Sequence, residues 1–269
     1  MPIISKRKLI TNVAAYAPAA SAFTPASLPG LVAWYDASTA ANFVKQGGGS
    51  VTNGDTIGTW ADMSGHGYTM TGGAAGASPV YSAAGFNGSK PAAYWNGGFR
   101  TLISANTIAG LATNNACSCF VVGRMLGAGV SYAHISAYQY NSDSNNDGPG
   151  SAIFLLRDSG NNAIETRGGG GLVASNAFSM DTPVVWGVTQ NASACITYIN
   201  NASPVSDTGR GTNVFASPGV IGMGSNISGG GPSALGFEGM VSEYVLTNAV
   251  LSTGDRNSLY TYFQSKWGL

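Results

Sequence analysis

Charge is the scarcest property of this chain. Of its 269 residues only 9% are Asp, Glu, Lys or Arg, against about 25% in an ordinary soluble domain. Twelve basic and twelve acidic side chains cancel to a formal net charge of zero. That balance excludes the positive field that a nucleic-acid-binding surface needs. The one basic run, Lys6-Arg7-Lys8, reads as a solvated or docked terminal segment. Glutamate is limited to Glu165, Glu238 and Glu243. The three cysteines, Cys117, Cys119 and Cys195, contain no CxxC pair, so a structural zinc site is not expected. Cys117 and Cys119 alternate to one side of a strand. One of them could meet Cys195, but the odd count favours buried, reduced thiols. No apolar run reaches the ~18 residues of a membrane-spanning helix, so no membrane partner is expected.

What the chain has instead is glycine and small polar residues. Its 39 glycines are about twice the usual share, and 44% of the residues are hydrophobic. A sizeable core can therefore form beneath a surface of Ser, Thr, Asn and Gly. Many glycines and few good helix formers suit short strands joined by turns.

Residues 1–27 read as an N-terminal arm and residues 28–269 as one domain. Lys6-Arg7-Lys8, Leu9-Ile10 and the small residues near Ala20-Ser21-Ala22 superficially resemble a signal peptide, but Thr11, Asn12 and Pro18 weaken the apolar part. A retained arm of low complexity needs a surface to lie against, and another subunit is the expected one.

Strand-like segments then alternate with turns. The expected strands are Leu31–Asp36, Thr56–Ala61, Pro91–Asn96, Cys119–Met125, Tyr132–Tyr140, Ala152–Arg157, Val184–Gln190, Cys195–Asn200, Val220–Gly224 and Phe237–Leu246. The segments around Val184–Gln190 and Cys195–Ile199 read as an antiparallel hairpin, followed by an Asn200-Asn201 turn of positive φ. One helix closes the chain. Ser252 is its expected N-cap, Asp255 favours its first turn, and Leu259, Tyr262, Phe263 and Trp267 recur at helical spacing. The pattern predicts an all-β, two-sheet antiparallel sandwich with one C-terminal helix and an extended N-terminal arm.

Three stretches carry a resemblance. They are Leu28-Pro29-Gly30-Leu31-Val32-Ala33-Trp34-Tyr35-Asp36, Trp60-Ala61-Asp62-Met63-Ser64-Gly65-His66-Gly67 with Lys90-Pro91-Ala92, and Phe237-Glu238-Gly239-Met240-Val241-Ser242-Glu243-Tyr244 with the closing Lys266-Trp267-Gly268-Leu269. In order and spacing this resembles the concanavalin A-like, laminin-G-like jelly-roll domains of bacterial surface proteins and bacteriophage virion proteins. The resemblance implies two curved sheets packed face to face. It does not imply one function, because the fold hosts lectins, glycanases and spacers. His66 stands where the family often has Asn.

Candidate chemistry is sparse. A glycanase of this family would carry a Glu-x-Asp-x-x-Glu strand, which is absent, and Glu238 and Glu243 are five apart and so expected on opposite faces of a strand. No Gly-x-Ser-x-Gly elbow accompanies His66 and His134, and Gly168–Gly171 lacks the Lys-Ser/Thr of a phosphate loop. Asp143, Asn145 and Asp147 before Gly148 match the first half of a calcium loop, but its twelfth position is Phe154. They read as Ca²⁺ ligands or as a solvated inter-strand loop. Tyr138 and Tyr140 alternate to one face and read as a sugar-stacking platform or as core and subunit contacts. Trp34, Trp60, Trp95, Trp186 and Trp267 read as core.

The expectation is a non-enzymatic virion structural protein, either a capsid decoration or a head- or tail-fibre component. Its arm would join other virion subunits in a homo-oligomer, and its sandwich would face host-surface glycans. The alternatives are a secreted or cell-surface glycan-binding module and, for want of paired carboxylates, least of all a glycoside hydrolase.

Overall fold

β-Branched and aromatic residues at alternating positions, broken by Gly and Asn turns, direct the backbone into antiparallel ladders. The computed structural model describes residues 22–73, 76–98, 100–108, 111, 116–127, 133–139, 152–158, 163–168, 171–191, 194–207, 219–224 and 236–269. In chain order the strands are β1 (Leu31–Asp36), β2 (Phe43–Lys45), β3 (Ile57–Trp60), β4 (Met70–Gly72), β5 (Val80–Phe86) and β6 (Lys90–Asn96). They continue with β7 (Leu102–Ser104), β8 (Cys117–Met125), β9 (Ala133–Gln139), β10 (Ala152–Asp158), β11 (Ala163–Gly168) and β12 (Gly171–Ala177). The last are β13 (Val184–Gln190), β14 (Cys195–Ile199), β15 (Ala202–Asp207), β16 (Val220–Met223) and β17 (Glu238–Thr247), followed by helix α1 (Thr253–Trp267).

The strands form two antiparallel sheets. One runs β15-β14-β13-β8-β17-β6-β5, with β1 also paired to β17, and the other runs β12-β11-β10-β9-β16-β7-β4-β3-β2. The two-sheet sandwich expected from the sequence is therefore the observed architecture. β17 organises the first sheet. One edge pairs along β8, while the other is shared by β6 through Glu238–Val241 and by β1 through Glu243–Thr247. Ser242 sits at that junction. Its carbonyl accepts from Ala37 N at 2.9 Å, and its hydroxyl donates to Pro91 O at 3.0 Å.

Between the sheets lies an aromatic core. Trp60 stacks on Phe43 at 4.9 Å and Tyr35 lies 5.7 Å from Tyr244, whose hydroxyl accepts from Ser136 of the opposite sheet. Two glycines on neighbouring strands admit bulky rings. A Cβ on Gly123 would lie 2.2 Å from the Trp186 ring, and one on Gly187 would lie 2.4 Å from Phe120. The expected hairpin is present as β13–β14, and Asn200 and Asn201 both adopt positive φ, 51° and 55°.

The expected helix also forms. Ser252 Oγ accepts from Asp255 N at 3.1 Å, which satisfies one of the free amide donors of the first turn. Gly268 ends the helix at φ 71°, the left-handed conformation that glycine adopts without a Cβ penalty. Leu259, Phe263 and Trp267 are buried at i, i+4 and i+8, whereas Tyr262 is half-buried beside that stripe. Each of these three burials contributes roughly 1.5–3 kcal/mol. Tyr35 and Tyr244 point into the sandwich, so their neighbours Trp34, Asp36 and Glu243 point out of it, under α1. The helix thus covers a sheet face that carries a charged residue.

Candidate functional site

The residues singled out from sequence scatter. Tyr138 is fully buried and its hydroxyl donates to Ile108 O at 3.3 Å, so it is a core residue and cannot stack on a sugar. The alternation did place it on one face of β9, but that face is the inner one. Tyr140 and the calcium-loop candidates Asp143, Asn145 and Asp147 lie outside the described residues. Among the described residues no three or more His, Cys, Asp or Glu side chains come together to hold a metal. Cys117, Cys119 and Cys195 are buried and no disulfide joins them, in line with the reduced thiols that the odd count favours.

The Trp60–Gly67 block is a turn built on one carboxylate. Asp62 Oδ1 accepts from Trp34 N (3.1 Å) and Ser64 N (2.9 Å), and Oδ2 accepts from Ser64 Oγ (2.7 Å) and Tyr68 N (3.0 Å). Gly65 and Gly67 supply the positive φ the turn needs, 88° and 77°. His66 Nε2 lies 3.0 Å from Leu31 O, which gives this histidine the satisfied turn role expected of it.

What the sequence did not reveal is a charge cluster beneath α1. Asp36 and Glu243 are cross-strand partners on β1 and β17. Lys266, from the last turn of α1, places Nζ 2.8 Å from Asp36 Oδ2 and 2.9 Å from Glu243 Oε2. Glu243 is fully buried, yet four donors converge on it. Oε1 accepts from Trp34 Nε1 (2.7 Å) and Tyr262 Oη (3.0 Å), while Oε2 accepts from Trp267 Nε1 (2.5 Å) as well as Lys266. Burial pushes the Glu243 carboxyl above its usual range. The Lys266 charge opposes that shift and the Asp36 charge adds to it. Burial, helped by the Glu243 and Asp36 charges, raises the Tyr262 phenol far enough that it stays protonated and keeps donating. The expectation that Glu238 and Glu243 follow simple alternation fails because β17 shifts register between Val241 and Glu243. Five residues of strand still separate them by roughly 16 Å, beyond the ~5–9.5 Å of a glycosidase carboxylate pair.

Beside this cluster the surface opens into a groove of about 630 Å³ between the Phe23–Thr24 segment and α1. Phe23 and Tyr262 form an edge-on aromatic corner with ring centroids 6.2 Å apart. Asn257, Ser258, Thr261 and Ser265 add amide and hydroxyl groups along the exposed side of the helix, and Lys266 lies at the inner end. The groove is of the size that small-molecule sites usually have. A signal for it was present in the sequence, in the small polar residues Ser258, Thr261 and Ser265 at i, i+3 and i+7 opposite the apolar stripe. The wall supplied by Phe23 carried no such signal.

No family model and no curated protein matches this chain. Solved structures do. A Trypanosoma rangeli sialidase in complex with sialic acid is 14% identical, with 88% of this chain and 33% of that chain covered and a TM-score of 0.55. A mutant of that organism's sialidase displaying trans-sialidase activity is also 14% identical, covering 89% of this chain and 34% of that one at a TM-score of 0.56. A GH54 α-L-arabinofuranosidase soaked with a cyclic sulfate inhibitor is 15% identical, covering 88% and 63% at a TM-score of 0.59. This chain therefore spans about a third of the sialidases and under two thirds of the arabinofuranosidase. These matches correct two expectations, a virion structural role and the absence of enzymatic activity. The structures matched here are a sialidase and an arabinofuranosidase, both glycoside hydrolases. At such low identity the likeness establishes the architecture alone, an all-β sandwich.

Proposed function

We propose that this domain engages glycans, as a concanavalin A-like, laminin-G-like sandwich working in an extracellular or cell-surface setting. The observation that carries the reading is the groove beside α1. A sugar ring presents apolar C–H faces together with a rim of hydroxyls. Phe23 and Tyr262 offer ring surface for the first, and Asn257, Ser258, Thr261 and Ser265 offer donors and acceptors for the second. A chain with only 9% charged residues is suited to neutral hydrogen bonding. The likeness to sialidase and arabinofuranosidase folds supports the same direction.

Two carboxylates, Asp36 and Glu243, lie next to the groove, but both are enclosed and fully engaged by donors. The reading is therefore one of glycan engagement at α1, with turnover decided by assay.

Affinity electrophoresis and calorimetry against arabinan, galactan and their oligosaccharides test it, with released reducing ends measured in parallel. Saturable binding is expected, weakened at least about tenfold by Phe23→Ala and by Ser265→Trp, which fills the groove. Binding unchanged in both variants, or absent across the panel, would overturn the assignment. Release of reducing ends lost in Ser265→Trp would make the groove a hydrolytic site.

A further inference from the structure

We infer that the groove beside α1 selects uncharged glycans and discriminates against acidic ones; this rests on the groove being the glycan site. An anionic sugar gives up strongly bound water on entering a groove and needs a cation with free donors in exchange. Among the described residues lining the groove, Lys266 carries the one formal charge. An ammonium group has three protons to donate. Here all three have partners within the protein: Asp36 Oδ2 at 2.8 Å, Glu243 Oε2 at 2.9 Å and Tyr262 Oη at 2.7 Å.

Charge leads to the same result. With both carboxylates ionised, Asp36, Glu243 and Lys266 sum to −1. With one of them protonated they sum to zero. Neither state leaves a positive field at the inner end of the groove, and the ionised state repels an incoming carboxylate. The cluster is also locked in place. The Lys266 side chain is 19% exposed and the Asp36 side chain 12%, and Nζ lies 5.0 Å and 5.1 Å from the Tyr262 and Trp267 ring centroids. Moving Lys266 out to meet a ligand would strand Glu243 without its cation, a cost that buried carboxylates impose heavily. Phe23, Thr261 and Ser265 remain to meet a ligand, and all are neutral.

The test compares matched pairs on the full chain: lactose against sialyllactose, and galactan against polygalacturonate, by calorimetry at low salt and again in 1 M NaCl. The neutral member of each pair is expected to bind at least about tenfold more tightly, with its affinity unchanged by salt. Asp36→Asn removes one negative charge and is expected to narrow the gap severalfold, with folding checked by circular dichroism. Tighter binding of the acidic member by the wild-type chain would overturn the inference while leaving the groove as the glycan site, and it needs no variant. Failure of every glycan to bind would remove the groove assignment itself and this inference with it.

Discussion

Asp36 and Glu243 face each other across β1 and β17 and share one cation, the ammonium of Lys266, at 2.8 Å and 2.9 Å. The last turn of the last helix is thereby tied to the first strand of the sandwich. Trp34, Tyr262 and Trp267 donate to the same buried carboxylate, so the closing helix is held by directional contacts as well as by its apolar stripe.

Breaking that cluster should cost more than an ordinary surface change. Glu243→Ala leaves Trp34 Nε1, Tyr262 Oη and Trp267 Nε1 without their acceptor and Lys266 with Asp36 as its remaining carboxylate, and a loss of about 3–5 kcal/mol is expected. Urea denaturation measures it. A loss below about 1 kcal/mol would mean that water or Asp36 takes over the vacated role.

The pH dependence has a definite sign. The folded Glu243 carboxyl titrates above its unfolded value of about 4.3, because burial outweighs the Lys266 attraction. Between the two values the folded state holds more protons than the unfolded state, so this residue makes stability fall as pH rises. The stability of the wild-type chain relative to Glu243→Gln should therefore decline from pH 4 upward until the folded carboxyl has ionised. Denaturation curves at half-unit intervals from pH 4 to 7 test this. A relative rise with pH would mean that the ion pair outweighs desolvation.

The thiols should be inert in the native protein. Burial pushes the Cys119 thiol up to about 12 and raises Cys117 as well. Thiolate, the reactive form, is then scarce at pH 8. With a disulfide-exchange reagent at that pH, Cys117, Cys119 and Cys195 are expected to react slowly when folded and all together in denaturant. Rapid modification of one native thiol would contradict the burial.

Packing in the first sheet should not tolerate a methyl group at Gly123. Its Cβ would lie 2.2 Å from the buried Trp186 ring and 2.9 Å from Met240 O, so the ring or the strand must move. Gly123→Ala is expected to cost about 1–3 kcal/mol, as overpacking does. Thermal melts of Gly123→Ala and of Gly123→Ala with Trp186→Phe would show whether the smaller ring relieves it.

Much of the fold was legible in local pattern. Each of the ten expected strands is present, most within two residues of its observed ends, and α1 begins at its Ser252 cap. The strands without a legible sequence pattern are β2, β4, β5, β7, β11, β12 and β15. Several, such as Met70–Gly72 and Leu102–Ser104, are three residues long, too short to display alternation. Others, such as Gly171–Ala177, are made of small residues whose strand propensity is weak. The candidate site was less legible. Lys266 and Asp36 stand in motif blocks at opposite ends of the domain with nothing local to mark their pairing, and Phe23 lies in the arm.

The sequence by itself determined the alternating strands, the positive-φ turns at Asn200-Asn201, the capped closing helix and the scarcity of open charge. The strands, turns and helix cap depend on residues within a few positions of one another, and the scarcity of charge depends on composition alone. Only the tertiary structure decided that Tyr138 faces the core, that a register shift follows Val241 in β17, and that Lys266 meets Asp36 and Glu243. A period of two says which side chains share a face, but the other sheet decides which face is inside. Contacts between residues over two hundred positions apart, such as Asp36 and Glu243, depend on strand order, which local patterning does not encode.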